Sequence, residues 1–244
     1  MTGFWVLLRK EILEQRRTWK FVAMSAILSL PAILDPTSFA IITRVRDEPH
    51  GFVQAVEGLE AIAQSMTFLG TFIAIVISMG VLATERASGT AAMTLSKPVT
   101  RSAFVAAKAL GLLASIAIGV IVASTIGYVL ILILFGDGGL GRFATGMVIN
   151  GAALLFIAFI ALFWSAMFTR QLLAGGLAFA TFIVLNTLRA IPHADRYLPV
   201  VAPDWAASII RAETTDAWPA FVILCGCLVL LPLAAWVIFR RKEL

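Results

Sequence analysis

Charge is what this sequence has least of. Only 14% of its 244 residues are Asp, Glu, Lys or Arg, against 60% hydrophobic, and the mean hydropathy is +0.96. A soluble domain carries roughly 25% charged and about 45–50% apolar residues. No water-soluble fold hides that much apolar surface, so the excess faces lipid or other helices within lipid. Cysteine is nearly missing as well. Cys225 and Cys227 share one apolar stretch, two positions apart, which on a helix puts them on nearly opposite faces. They neither pair nor chelate, and no disulfide framework exists. The two histidines, His50 and His193, fall in polar segments and read as solvated loop residues. Neither H-E-x-x-H nor Gly-x-Ser-x-Gly occurs, which removes common routes to an intramembrane protease or lipid hydrolase. None of the five lysines, Lys10, Lys20, Lys97, Lys108 and Lys242, sits in a glycine-rich Lys-Ser/Thr phosphate loop.

What the chain does have is long apolar runs. A helix rises 1.5 Å per residue, so a hydrocarbon core of about 30 Å needs about 20 apolar residues. Charge-free runs of 24 residues (61–84), 28 (109–136), 27 (143–169), 18 (171–188) and 23 (217–239) give five spans. A sixth candidate, Phe21–Leu34, is only 14 residues long before Asp35-Pro36 interrupts it and Phe39–Ile42 resumes. Charge decides the matter. With six spans, 13 of the 19 Lys and Arg fall on one side, which is then cytoplasmic. Without the first crossing, Arg9, Lys10, Arg16, Arg17 and Lys20 would lie on the wrong side. The formal charge of +5 therefore reads as topology and not as affinity for nucleic acid.

The expectation is an all-α integral membrane protein in a single domain over 1–244. Its spans run at about 21–43, 61–84, 109–135, 144–168, 172–191 and 219–239, with both termini cytoplasmic. Asp35 is expected near the outer end of the first span, at headgroup level. Twenty polar-rich residues precede the first apolar run, which is not the short basic region of a cleavable export signal.

Residues 3–19 read as an amphipathic helix. Trp5, Leu8, Ile12 and Trp19 share one face, while Arg9, Lys10, Arg16 and Arg17 supply cations around the others. Such a helix is expected in the cytoplasmic interface, with Trp at headgroup level.

The most informative segment joins spans two and three. Glu85-Arg86 is expected to end span two at the water boundary, and Gly89 to break the helix or allow close backbone approach. Thr90 can cap a short helix running to about Ser96, and Pro98 stops it. Thr100 or Ser102 can cap span three, with Arg101 and Lys108 facing the cytoplasm. The apolar side of the short helix, Met93 and Leu95, is left for a partner.

Glu85-Arg86, then Gly89-Thr90, then Leu95-Ser96-Lys97-Pro98-Val99-Thr100-Arg101, and finally Lys108, resemble the membrane subunits of ABC-2 type ABC transporters. The resemblance extends to the layout of the whole chain. One departure is Ala91-Ala92-Met93-Thr94, where the family more often carries an acidic, leucine-rich stretch. The resemblance implies a coupling helix formed by Glu85, Arg86, Gly89, Thr90, Met93, Leu95, Lys97, Pro98 and Arg101, seated in a groove of a separate ATP-binding subunit. ATP and Mg would bind that partner and no cofactor this chain. A second permease copy or a paralogue, the prokaryotic cell membrane as location, and export as direction also follow from the resemblance. An enzyme activity of the chain itself is not implied.

Span three carries small residues every fourth position: Ala107, Gly111, Ser115, Gly119, Ala123 and Gly127. That spacing marks a helix–helix face, whether within the chain or toward a second copy. Ser78, Ser124, Thr125, Asn150, Ser165, Thr181 and Asn186 are the polar groups available to a translocation path. In 192–219, Tyr197, Trp205 and Trp218 suit an outer interface, with a short helix around Trp205–Arg211. The competing function is an ion-coupled secondary carrier or channel, which calls for buried charge at mid-membrane. Only Asp35 is a candidate for that.

Overall fold

The computed structural model describes residues 2–17, 19–45, 51–96, 99–213 and 217–241. Its elements are all helical. A first helix, α1 (Thr2–Arg17), leads into α2 (Lys20–Val45) and α3 (Phe52–Ser78); two short helices, α4 (Ala83–Ala87) and α5 (Thr90–Leu95), follow. Next come α6 (Arg101–Leu134), α7 (Leu140–Met167) and α8 (Gln171–Thr187). Three 3₁₀ turns lead into α9 (Ala202–Arg211), and α10 (Trp218–Arg241) ends the fold. Among the described residues, six helical stretches are long and apolar enough to cross a membrane: 21–45, 52–87, 101–134, 140–167, 171–190 and 218–241.

The helices outrun their charge-free runs because a helix does not stop where lipid stops. α3 begins at Phe52, nine residues before its apolar run, and carries Glu57 and Glu60 on the extension. α2 passes through Pro31 and Pro36 without ending and continues ten residues beyond Asp35, to Val45. Asp35 is thus an interior residue of the helix, not its end.

α7 is the central post. It packs against α10, α3, α9, α8 and α6. Every residue from Ala153 to Leu162 is buried, which suits a segment that is apolar all round. α8 and α10 lie at the periphery; α8 buries only Ala174, Gly175 and Ala178 among its residues.

α2 and α6 form the most extensive pair, and the small-residue ladder is the reason. A methyl group at Gly119 would meet Met24 Cγ at 2.7 Å, and one at Gly127 would meet Ile62 Cδ1 at 3.0 Å and Ala32 Cβ at 3.4 Å. Going along α6, the ladder faces α1 at Gly111, α2 at Gly119, and both α2 and α3 at Gly127. Lipid tails are as apolar as leucine, so this face gains from close van der Waals packing and not from removal of water.

Ion pairs fasten the two ends. At the α9 end, Arg211 pairs with Glu60 of α3 and Arg189 pairs with Asp204. Trp205 of α9 packs on Trp218 and Phe221 of α10, with ring centroids 5.3 and 5.4 Å apart. α9 is therefore seated in the bundle: Trp205, Ala206 and Ile210 are buried, and Gly146 of α7 lets the Ala206 carbonyl approach closely.

Candidate functional site

At the opposite end, α1, α4 and α6 converge on one lysine. Lys108 is 5% exposed and its Nζ lies 2.6 Å from Glu11 Oε2 of α1. It also pairs with Glu85 Oε1 of α4. Desolvating an ammonium group is expensive, and two carboxylates from two other helices offset that cost. The second Glu85 oxygen, Oε2, is buried with no hydrogen-bond partner. Gln15, 2% exposed, donates to Glu11 Oε1 at 3.3 Å, and the Ser115 hydroxyl donates to Gln15 Oε1. The Phe104 ring lies 5.8 Å from the lysine nitrogen.

The sequence reading put Lys108 toward the cytoplasm, and the structure corrects this. Its ammonium is enclosed because α1 docks its polar side, not its aromatic side, onto α6. Leu7, Glu11 and Gln15 are buried, whereas Trp5, Ile12 and Trp19 of the expected apolar face are exposed. Gly111 permits the contact: a methyl there would come within 2.7 Å of Glu11 Cγ. Trp19, at φ +59°, marks the break between α1 and α2, so the helix ends at Arg17 and does not run to Trp19.

Glu11, Glu14 and Glu85 each offer a carboxylate oxygen within 4.8 Å of the others. That spacing would suit a cation, and Lys108 already provides one between Glu11 and Glu85.

Two joints connect this cluster to the spans. The first is a helix interruption at Met79–Leu82, between α3 and α4. The Ser165 hydroxyl of α7 accepts the freed N–H groups of Leu82 and Ala83, at 3.0 and 2.9 Å. Arg86 adds a bond from Nη1 to the Ala166 carbonyl at 2.9 Å, at the last turn of α7. Met79 fills the space that Gly175 of α8 leaves open.

The second joint is Gly89, at φ +72° with nothing within 4 Å of where a side chain would start. A left-handed residue there lets α5 depart from α4 in a new direction. Thr90 is the first residue of α5, and its hydroxyl donates backward to the Glu85 carbonyl at 3.2 Å. It thus ties the loop to α4 where the sequence suggested a cap. Met93 is 72% exposed, while Ala91 is buried. Thr100 caps α6, accepting from Ala103 N at 3.2 Å, and Arg101 donates to the Arg240 carbonyl of α10 at 2.9 Å. Lys97, Pro98 and the Leu95 side chain lie outside the described residues.

Most hydroxyls and amides read as path candidates are engaged in packing. Asn150 donates to the Ala63 carbonyl at 3.0 Å and accepts from Thr67 at 2.9 Å. Thr181 accepts from Trp164, Ser124 and Thr125 bond to the Ile121 carbonyl, and Ser78 is buried without a partner. Asn186 lines a cavity of about 100 Å³ beneath α9, together with Thr67, Thr71, Arg189 and Asp204.

Six long apolar helices among the described residues, with a charged and hydrogen-bonded cluster gathering connecting segments at one end, are the build of a multi-pass membrane protein. The chain belongs to the ABC-2 transporter family: the family described as ABC-2 family transporter protein matches residues 5–244. It is an ABC transporter permease, and permeases of this family generally pair with an ABC ATP-binding subunit. No individually curated protein matches the chain.

Proposed function

We propose that this permease exports its cargo by converting ATP hydrolysis on a separate subunit into movement of its spans, and that the α4–α5 segment receives the stroke. The nucleotide and Mg would be held by that partner, with this chain carrying no ATPase site. Two permeases, identical or paralogous, would face two ATP-binding subunits in a prokaryotic cell membrane, with α1, α5 and both termini cytoplasmic. The excess of Lys and Arg on that side supports this orientation.

The observation that carries the reading is the Glu11–Lys108–Glu85 cluster. Through it a push on α5 reaches α4, then α1 and α6 together, because separating any one member would strand a charge in a buried setting. The exposed Met93 is the apolar handle for the partner. Through Arg86 and Ser165 the same push reaches α7, the post around which the other spans pack.

Co-expression with the ATP-binding subunit tests this. Met93→Asp should reduce retention of that subunit in detergent and lower ATP-dependent transport in vesicles, while the permease alone elutes as before. Full retention and transport with Met93→Asp and with Gly89→Val would overturn the assignment of the loop. Transport by vesicles that lack ATP and any ATPase would instead favour an ion-coupled carrier.

A further inference from the structure

α2 and α3 leave a groove of about 490 Å³ between them, within the size range of small-molecule sites. Leu30, Leu34, Asp35, Gln64, Ser65 and Phe68 are among its walls. Leu30, Leu34 and Phe68 are 51%, 59% and 65% exposed, so the groove opens outward, toward lipid, and not into the bundle. Ser65 lies five residues from Glu60, about 7.5 Å along the helix, which puts the polar end of the groove roughly one and a half turns inward of the α9-end ion pair.

Asp35 is the anomaly. Its Oδ2 is buried with no hydrogen-bond partner, and Ser65 stands beside it in the wall of the groove. No basic side chain among the described residues pairs with it. The nearby cation, Arg211, is engaged by Glu60 and Glu213, and Gln64 donates to Glu60 at 2.7 Å. Pro31 and Pro36, on either side, lack the N–H groups that would close helical bonds to residues 27 and 32. Among the described residues, the polar end of the groove thus holds Asp35, Gln64 and Ser65 and no cation.

A second, independent feature adjoins it. Phe68 packs edge-on to Phe72 at 5.2 Å, Phe72 lies 5.7 Å from Phe179 of α8, and Phe179 lies 6.5 Å from Phe182. Phe68, Phe72 and Phe179 are all substantially exposed, so an aromatic track leaves the groove across the α3–α8 surface. Aromatic faces attract cations and stack on planar rings.

We propose that this groove binds lipophilic aromatic cations that reach it through the bilayer, with Asp35 as the counter-charge and Phe68 as the platform for the apolar body. As a binding site it stands independently of ATP-driven export. As the site that selects the cargo it rests on that reading.

The test uses the full chain in nanodiscs, without the ATP-binding subunit. Binding of tetraphenylphosphonium is compared with that of tetraphenylborate, a probe of the same shape and opposite charge, and empty discs give the background. The wild type should bind the phosphonium in preference to the borate. Asp35→Asn should weaken phosphonium binding by about 10- to 100-fold, the range of one ion–ion attraction at roughly 6 Å near a protein surface, and abolish the preference. Asp35→Glu should retain it, and Phe68→Ala should weaken binding of the cation with the discs still monodisperse. Equal phosphonium binding by wild type and Asp35→Asn, no preference between the probes, or no wild-type binding above empty discs would each overturn the proposal. Since no nucleotide or ATPase enters the measurement, a failure of the export reading leaves this result intact, and the reverse also holds.

Discussion

Replacing Lys108 with methionine keeps the length of the side chain and removes its charge, leaving Glu11 and Glu85 facing each other. Glu11 is 6% exposed, so water cannot replace the lost ammonium without moving α1 off α6. Breaking a buried pair from one side costs about 3–5 kcal/mol. For a chain of this length, 1 kcal/mol corresponds to roughly 2–4 °C in Tm, so Lys108→Met should lower Tm by roughly 6–20 °C. The loss should concentrate on α1. Proteolysis between Arg9 and Arg17, exposed residues on a helix that docks through Leu7, Glu11 and Gln15, should accelerate more than cleavage elsewhere as the helix loosens and its backbone becomes available. A triple variant, Glu11→Met, Glu85→Gln and Lys108→Met, removes the whole charge set and should recover most of the loss, because a buried ionic cluster and an apolar one differ little in net stability. Thermal unfolding in nanodiscs, followed by tryptophan fluorescence, reads all three proteins. The reasoning is refuted if Lys108→Met melts with the wild type, or if the triple variant melts below Lys108→Met.

Three further outcomes follow from the same geometry. Gly111→Leu should displace α1 by overpacking against Glu11 and Gln15, at a cost of about 1–3 kcal/mol; unaltered proteolysis of α1 would contradict the close approach. Gly89→Val should cost about 1–2 kcal/mol through backbone strain alone, since nothing surrounds the site, and Gly89→Asn should cost less; equal melting of the two variants would contradict this. Asp137, in the α6–α7 connection, accepts from the Tyr128 hydroxyl at 2.6 Å and from Gly139 N at 2.8 Å, which holds its carboxyl below the usual aspartate range. A depressed carboxylate stabilises the folded loop above its unfolded pKa, and that contribution disappears as pH falls through the folded value. Its ¹³C carboxyl shift should therefore titrate below about 3.9 and move upward in Tyr128→Phe; the same midpoint in both proteins would contradict the assignment.

Hydropathy and charge placed the six membrane-crossing stretches, because a span is a property of one segment in one solvent. The joints were less visible. Glu11 and Gln15 carried no signal in the sequence, because polar residues on an amphipathic helix are buried only where another helix supplies partners. Those partners, Lys108 and Ser115, lie about 100 residues away in the chain. Lys108 read as water-facing for the same reason. Ser165 was legible only as one of several polar groups available to a translocation path: an intramembrane hydroxyl most often bonds its own helix, and here it serves the broken turn of α3. The ladder on α6 was legible as a face, since small residues four apart leave one groove. That it meets α1, α2 and α3 in succession depends on crossing angles that no spacing encodes. Asp35 was legible as unusual, but its setting requires α3 alongside it.

The interruption at Met79–Leu82 changes what a displacement of α4 can do. An unbroken rod from Phe52 to Ala87 would have to tilt as a whole, dragging its far end against α9. With the rod severed, α4 can pivot while the upper part of α3 keeps its seat. The pivot's two amides rest on a hydroxyl belonging to α7, so the fulcrum is shared, and rotation there is felt first by the most enclosed helix in the protein.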